Sequence, residues 1–231
     1  MPEDKLTFNI PIPNLPRGKP IPVAQVETIL LSNLSKKKAE FEFAMINLAW
    51  FYSRIGRQDI SYQYISQLLQ QTDDLEKQAS YYLKLGQLME QVENYEAAIV
   101  CYRDAFSIEK MDSWVWYYIN NNLGYCLNQY GKFEESEPYF HEAIRIDAEK
   151  HNAYKNLGIS LEGQGKYLEA AKSFIKATEK NAGDSRAFVQ LDNLIMNHSS
   201  AFEETPYILD QAKKCRQAVE LANQLRKGKN Q

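Results

Sequence analysis

The chain has 231 residues, with 27 Lys or Arg and 30 Asp or Glu, for a formal net charge of −3. Hydrophobic residues make up 44 % and charged residues 25 %, which is typical of a globular protein with a buried core. No apolar run approaches the roughly 18–20 residues of a membrane span, and the acidic, proline-rich start does not resemble a secretory signal. Cys101, Cys126 and Cys215 form no close pair, so neither disulfides nor a zinc motif is indicated and a cytoplasmic location is expected.

Charge is distributed unevenly along the chain. Residues 1–38 contain six basic and three acidic side chains, and residues 210–231 contain six and two. The stretch between them therefore carries 15 basic and 25 acidic side chains, a net charge of −10. Because binding to phosphates needs clustered Lys and Arg side chains, this acidic body argues against a nucleic-acid partner.

The first predicted segment is a proline-rich arm, residues 1–22, which holds six of the eight prolines. Proline fixes φ and removes a backbone donor, so an extended or irregular arm is expected. Residues 23–41 follow as an N-terminal helical segment. Its helix is predicted from about Val23 to Lys37, because Val26, Leu30 and Leu34 lie on one side at helical spacing.

A repeat runs through the middle of the chain. Gly124 and Gly158 each follow a leucine and lie 34 residues apart. Sixteen residues after each of these glycines comes a phenylalanine, Phe140 or Phe174. A glycine at this spacing lets a neighbouring helix approach closely, and an aromatic ring then fills the space between the two helices.

The same pattern extends toward the N-terminus. It fits Gly86 with Tyr102 and, more loosely, a unit with Ala49 at the anchor position. The longer intervals in these earlier units are explained by one added helical turn. The helices that would carry this turn begin near Thr72-Asp73-Asp74 and Asp112-Ser113, which are both good N-cap sequences.

This pattern resembles the tetratricopeptide repeat family, in which each unit is a pair of helices. The resemblance implies an all-α fold, a right-handed solenoid of stacked helical hairpins with about four to five repeats. It also implies a protein-interaction role in which an extended peptide segment of a partner lies in the concave groove. The repeats predicted within residues 42–197 are 42–78, 79–116, 117–150, 151–184 and a partial unit at 185–197.

The last predicted element is a C-terminal helix over residues 205–228. Thr205 and Pro206 form a helix start, since proline is favoured at the first helical position. Ile208, Cys215 and Val219 then recur at helical spacing, so one face of the helix is apolar. We expect this face to cover the end of the last repeat, because a solenoid needs a capping element.

The groove of such a fold is lined by the first helix of each pair. The residue two positions before the small anchor residue is rotated about 200° from it and should therefore face the groove. No acidic residue occupies the predicted positions, so a neutral to mildly acidic protein or peptide partner is expected. The predicted groove residues are Phe43, Asn47, Trp50, Arg54, Lys84, Gln87, Tyr118, Asn122, Tyr125, Gln129, Asn152, Asn156, Arg186, Gln190 and Asn193.

Asn122 and Asn156 are of particular interest among these groove residues. A carboxamide can pair with both the C=O and the N–H of an extended peptide, and the spacing resembles the asparagine ladder in the repeats of O-GlcNAc transferase. A second family mode, the clamp for a C-terminal carboxylate, is not expected, because Asn152 and Asn156 stand where it needs Lys and Arg. The aromatic groove residues would supply apolar anchors.

No pattern in the sequence indicates catalysis, a metal or another cofactor. The three histidines are scattered, and neither a nucleophile elbow nor a phosphate-binding glycine loop is present. The protein is therefore predicted to be a non-enzymatic adaptor or chaperone, a monomer or weak homo-oligomer without a membrane partner. The alternative is a self-assembling structural solenoid that oligomerises through its C-terminal helix or N-terminal arm. In a further alternative, residues 6–22 occupy the groove of their own chain.

Overall fold

The structure, a computed structural model, describes residues 5–6, 20–35, 38–109 and 112–228. Two strands of two residues each, β1 (Lys5–Leu6) and β2 (Ile21–Pro22), pair in antiparallel fashion. Most of the proline-rich arm lies outside the described residues, and so does most of the segment predicted in one alternative to occupy the groove.

The rest of the described chain is a succession of helices with short connections. Three short 3-10 segments lie among the described helices, at Asn33–Ser35, Ala105–Ser107 and Ser199–Phe202. The helices are α1 (Val23–Ser32), α2 (Lys38–Arg54), α3 (Gln58–Gln70), α4 (Leu75–Gln91), α5 (Tyr95–Asp104), α6 (Trp114–Gln129), α7 (Phe133–Ile146), α8 (His151–Gly163), α9 (Tyr167–Lys180), α10 (Arg186–Asn197) and α11 (Pro206–Gly228).

The chain divides into two compact units, residues 1–109 and 110–231. In the first unit, α2 packs against α3 and α4 packs against α5 as antiparallel hairpins. In the second unit, α6 pairs with α7 and α8 pairs with α9, while α10 contacts both α9 and α11. The α-helix at the start of the first unit ends at Ser32, five residues before the predicted Lys37, because the chain turns into a 3-10 segment there.

Helix starts and turns follow the local chemistry of the sequence. The Oδ1 atom of Asp74 accepts hydrogen bonds from the backbone N–H groups of Glu76 (3.0 Å) and Lys77 (3.2 Å), so it caps α4 as its residue type predicts. Ser113 precedes α6, but its side chain makes no capping hydrogen bond. The turns after α6 and α8 contain Gly131 and Gly165, whose φ angles of 67° and 75° are ones that glycine adopts without strain.

The close approach predicted at the repeated glycines is confirmed. A Cβ atom placed on Gly86 would lie 2.2 Å from the Tyr102 ring, and one on Gly158 would lie 2.5 Å from the Phe174 ring. A Cβ atom placed on Gly124 would lie 2.7 Å from the Phe140 ring. A side chain at any of these positions would therefore overlap the ring that is sixteen residues further along the chain.

The core of the second unit continues into the C-terminal helix. Phe140, Phe174 and Phe202 belong to one buried cluster that also includes Ile208 and Cys215 of α11. These two side chains are 1 % and 5 % exposed, respectively. The apolar face of α11 thus packs against α9 and α10, where the sequence predicts a cap.

Within the described part of the chain, no helix combines the length and the apolar character that crossing a bilayer would require.

Candidate peptide-binding surface

The first helices of the hairpins in the second unit, α6, α8 and α10, lie side by side. The Asn128 side-chain amide of α6 donates to the backbone carbonyl of Asn156 in α8 over 3.1 Å. The backbone N–H of Ala153 donates to the hydroxyl of Tyr117 over 3.3 Å, and α10 contacts α8 on its other side. We use the name first-helix face for the side of these helices that carries the predicted residues that are not buried: Tyr118, Asn122, Tyr125, Gln129, Asn152, Arg186, Gln190 and Asn193.

A buried polar network holds α6, α7 and α8 together beneath this face. The hydroxyl oxygen of Ser136 lies 2.6 Å from Asn128 Oδ1 and 2.9 Å from Ser160 Oγ. Ser160 in turn donates to the backbone carbonyl of Phe133 over 2.7 Å. Because Ser136 and Ser160 are fully buried, these bonds satisfy polar groups that water cannot reach. The network therefore sets the position of α8 relative to α6.

The structure corrects two of the predicted groove positions, Asn156 and Asn47. Asn156 is 4 % exposed, and its amide nitrogen donates to Asn121 Oδ1 over 3.1 Å. Asn121 donates onward to Asn122 Oδ1 over 3.0 Å. Asn47 in the first unit is likewise only 6 % exposed. The prediction that Asn47 and Asn156 face an open groove is therefore wrong, because both side chains are buried.

The remaining predicted residues of α6 lie along the accessible part of the first-helix face. Tyr118, Asn122 and Tyr125 are partly buried, and Gln129 is exposed at the end of the helix. The Tyr118 ring packs edge-on against Trp114 with ring centroids 6.1 Å apart. The ammonium of Lys150 lies 4.6 Å from the centroid of the Tyr118 ring, in cation–π geometry.

The predicted residues of α8 and α10 continue this face. Asn152 and Gln190 are partly buried, whereas Asn193 is exposed. Arg186 is also exposed, and its guanidinium nitrogens bind the carboxylate of Asp184, with Nε 2.8 Å from Oδ1. The first-helix face therefore carries amides and rings, and its predicted arginine is already paired with a carboxylate.

The corresponding residues of the first unit lie on α2 and α4. Phe43 is exposed, and the guanidinium carbon of Arg54 lies 5.3 Å from the centroid of the partly buried Trp50 ring. Lys84 and Gln87 are partly buried on α4. Burial also lowers the pKa of the Lys84 ammonium.

Two polar residues of α6 and α8, Asn121 and Lys155, were not among the predicted groove residues. Both lie three positions before the anchor glycine of their repeat, one position earlier than the residue chosen from the sequence. The equivalent positions of other units hold Ile46, Leu83 and Val189. A polar residue in place of an apolar one is the signal that would have drawn attention to them.

The comparison with family models identifies this architecture. The model described as tetratricopeptide repeat matches residues 79–110 and 117–150. Two units of this chain thus match the tetratricopeptide repeat family. The fold class is the predicted all-α helical-repeat solenoid. Tetratricopeptide repeat proteins are generally protein-interaction scaffolds.

Two curated relatives of this chain are much longer than the region that they match. Protein O-mannosyl-transferase Tmtc3 of Drosophila melanogaster is 30 % identical over 106 residues, which cover 40 % of this chain and 11 % of the relative. The peroxisomal targeting signal receptor of Kluyveromyces lactis is 28 % identical over 155 residues, covering 65 % of this chain and 27 % of the receptor. The chain thus spans well under a third of either relative.

Solved structures share the fold at low sequence identity. YrrB, described as a tetratricopeptide repeat protein with an unusual peptide-binding site, has a TM-score of 0.56 and 20 % identity, covering 86 % of this chain and 97 % of YrrB. MamA from Desulfovibrio magneticus RS-1 has a TM-score of 0.58 and 12 % identity, covering 82 % of this chain and 97 % of the MamA chain. At these identities the similarity establishes the fold alone.

Proposed function

We propose that this tetratricopeptide repeat protein is a non-catalytic adaptor or chaperone that binds an extended peptide segment of a partner on its first-helix face. The observation that carries the proposal is the row of Tyr118, Asn122 and Tyr125 along α6, which is partly exposed. These side chains recur at intervals of four and three residues and so lie on one side of the helix.

The two kinds of side chain in this row have complementary roles in binding a peptide. Tyrosine rings offer apolar area together with a polar hydroxyl, and such residues commonly dominate binding energy at interfaces. Asn122 adds a partly exposed polar carboxamide between the two rings, and its Oδ1 accepts a hydrogen bond from Asn121. The buried network beneath α6 and α8 fixes the helices, so little ordering of the face would accompany binding.

The proposal includes a reducing, cytoplasmic setting. Cys101, Cys126 and Cys215 are free thiols, and all three are buried. Burial raises the pKa of the Cys101 and Cys215 thiols to about 11, which keeps them protonated and unreactive at neutral pH.

Replacing Tyr125 with alanine is expected to weaken peptide binding about tenfold, because a buried aromatic anchor at an interface contributes on the order of 1–2 kcal/mol. The probe is a set of dodecamer peptides selected from a phage-displayed random library for binding to the full chain. Affinities of the wild type and the variant are measured by isothermal titration calorimetry, and helicity by circular dichroism.

The matched control is Tyr207→Ala, which removes an equally large ring that is 51 % exposed at the start of α11. This control should leave peptide affinity unchanged. Equal affinity of Tyr125→Ala and the wild type for every selected peptide, with normal helicity, would contradict the proposed site. Failure to select any binding peptide would contradict the proposed function itself.

Self-assembly is a second candidate, favoured by the outer side of α11. Leu221 and Leu225 of this helix are 57 % and 61 % exposed, and they lie four residues apart on the same side. If copies associate through this side, the molar mass from light scattering should rise with concentration, and Leu221→Lys with Leu225→Lys should abolish the rise. A mass that stays at that of one chain would remove this candidate.

A further inference from the structure

Trp114 is an exposed ring at the start of α6 that the predicted groove residues do not include. Its side chain is 59 % exposed, and its ring centroid lies 6.1 Å from that of Tyr118, with 74° between the two ring planes. Trp114, Tyr118 and Tyr125 lie on one side of α6, because intervals of four and seven residues are close to whole helical turns. Trp114 therefore extends the first-helix face toward the N-terminus of α6.

The Tyr118 ring is also held by neighbours other than Trp114. The Tyr117 ring meets it edge-on, with ring centroids 5.1 Å apart, and Lys150 Nζ lies 4.6 Å from its centroid. The Tyr117 hydroxyl itself accepts a hydrogen bond from the backbone N–H of Ala153 in α8 over 3.3 Å. Trp114 and Tyr118 thus form a corner of two steeply inclined rings, one of which is already oriented by the protein, and this lowers the ordering cost of binding.

The charges around this corner favour a neutral ligand. Lys150 Nζ lies 3.3 Å from Asp147 Oδ2, and Arg186 is paired with Asp184 further along the face. None of the residues that define the first-helix face is acidic. A cationic segment would meet lysine and arginine without a carboxylate of its own to pair with. An anionic segment would have to compete with Asp147 and Asp184 for cations that are already bound.

We propose that Trp114, Tyr118 and Tyr125 bind a neutral proline-rich segment of a partner protein in the polyproline II conformation. This inference rests on the proposed function and names the chemistry of the peptide. The seven-residue interval between Tyr118 and Tyr125 corresponds to roughly 10.5 Å along the axis of an α-helix. Two prolines three positions apart in a polyproline II helix lie on its same side, about 9.3 Å apart. The two tyrosine rings therefore match a Pro-x-x-Pro spacing.

Proline suits this row of rings for two reasons. Aromatic-lined grooves are a general means of recognising proline-rich segments, and such segments lose little conformational freedom when they bind. A polyproline II helix also has no internal hydrogen bonds, so its carbonyl groups can accept donors from the protein. Gln129 is exposed on the same side of α6, and its amide offers such a donor. Trp114 would pack against the proline that lies on Tyr118.

The proline-rich arm of this chain fits the site less well than a neutral partner segment does. Residues 7–19 include Arg17 and Lys19 and no acidic residue. These two positive charges would approach Lys150 and Arg186 on a surface whose nearby carboxylates are already paired. The charges therefore assign the site to a segment of another protein.

The first test needs no protein variant. Three neutral dodecamers of one composition carry two prolines that are two, three or four positions apart, and isothermal titration calorimetry measures their affinity for the full chain. The Pro-x-x-Pro peptide should bind about fivefold more tightly than its two isomers, because only this spacing places both prolines on one side of a polyproline II helix. Equal affinities of the three peptides would overturn the proposal.

The protein variant is Trp114→Ala, which removes an exposed ring at the first position of α6. It should weaken binding of the Pro-x-x-Pro dodecamer about fivefold and leave helicity by circular dichroism unchanged. The matched control is Tyr207→Ala, which removes an exposed ring of α11 and should bind the dodecamer like the wild type. An affinity of Trp114→Ala equal to that of the wild type would also overturn the proposal.

Other occupants of the site are separated by further peptides. Proline should be enriched among the peptides selected from the phage-displayed library, and enrichment of charged residues in its place would contradict the assignment. A synthetic peptide of residues 7–19 that binds more tightly than the Pro-x-x-Pro dodecamer would assign the site to the chain's own arm and overturn the assignment to a partner.

The failure of this inference is distinguishable from that of the proposed function. A lack of proline preference leaves the proposed function intact, provided that the selected peptides still bind and Tyr125→Ala still weakens them. A library that yields no binding peptide would overturn both.

Discussion

Replacing Phe174 with alanine is expected to cost about 3–5 kcal/mol of unfolding free energy, which is typical for deleting a fully buried phenylalanine. The Phe174 ring is completely buried and lies against Gly158 of the neighbouring helix. Its removal leaves a cavity that the flanking helices can fill only in part, because their own core contacts hold them in place. Urea denaturation of the full chain, followed by circular dichroism, measures the loss.

The control for Phe174→Ala is Met196→Ala, which removes a large apolar side chain that is 73 % exposed on α10. A substitution at such a surface position should change the unfolding free energy by no more than about 0.5 kcal/mol. A loss below about 1 kcal/mol for Phe174→Ala would contradict the packing described for the α8–α9 hairpin.

Replacing Gly158 with alanine should destabilise the protein by about 1–3 kcal/mol, as expected for overpacking a filled core. Helix propensity alone predicts the opposite sign, since alanine in a helix is favoured over glycine by about 1 kcal/mol. The added Cβ atom would lie 2.5 Å from Cε1 of Phe174, well inside van der Waals contact, so the overlap outweighs the gain in propensity. The sign of the change in urea denaturation distinguishes the two effects.

A double-mutant cycle isolates the contact between these two residues. In a Phe174→Leu background the smaller side chain leaves room near Gly158, so the cost of Gly158→Ala should fall by at least about 1 kcal/mol. Gly165→Ala is the comparison, because a Cβ atom there meets nothing within 4 Å and its cost arises from a φ of 75°. The loss of stability caused by Gly165→Ala should be the same in the wild type and in the Phe174→Leu background. Additive effects of Gly158→Ala and Phe174→Leu would show that the Phe174 ring does not set the loss of stability caused by Gly158→Ala.

The hairpin architecture could be predicted from the sequence because its determinants are local or repeat at fixed intervals. Gly158 and Phe174 are sixteen residues apart, a spacing that places them opposite one another on two helices joined by a short turn. Predicting the cap at Asp74 required only the known preference of aspartate for the N-cap position of a helix. Both features depend on residues that are close together in the sequence.

The surface of the second unit could be predicted only in part. Tyr118, Asn122 and Tyr125 are partly accessible along α6, as the helical spacing suggests. Asn156 occupies the equivalent repeat position to Asn122 and yet is buried, because its amide binds Asn121 of the neighbouring helix. Rotation about a single helix axis gives the direction of a side chain but not the distance to the next helix, so it does not predict exposure.

The sequence by itself determined that the chain forms helical hairpins, where the helices turn, and which glycines meet which rings. The reason is that helical periodicity, turn chemistry and side-chain volume act over a few tens of residues. Only the tertiary structure decided which polar side chains form hydrogen bonds within the protein and which are accessible to a partner. Asn156 bonds within the protein because α6 lies beside α8, and Arg186, although exposed, binds the carboxylate of Asp184. Such outcomes depend on the distances between side chains of different helices, which no spacing within one helix specifies.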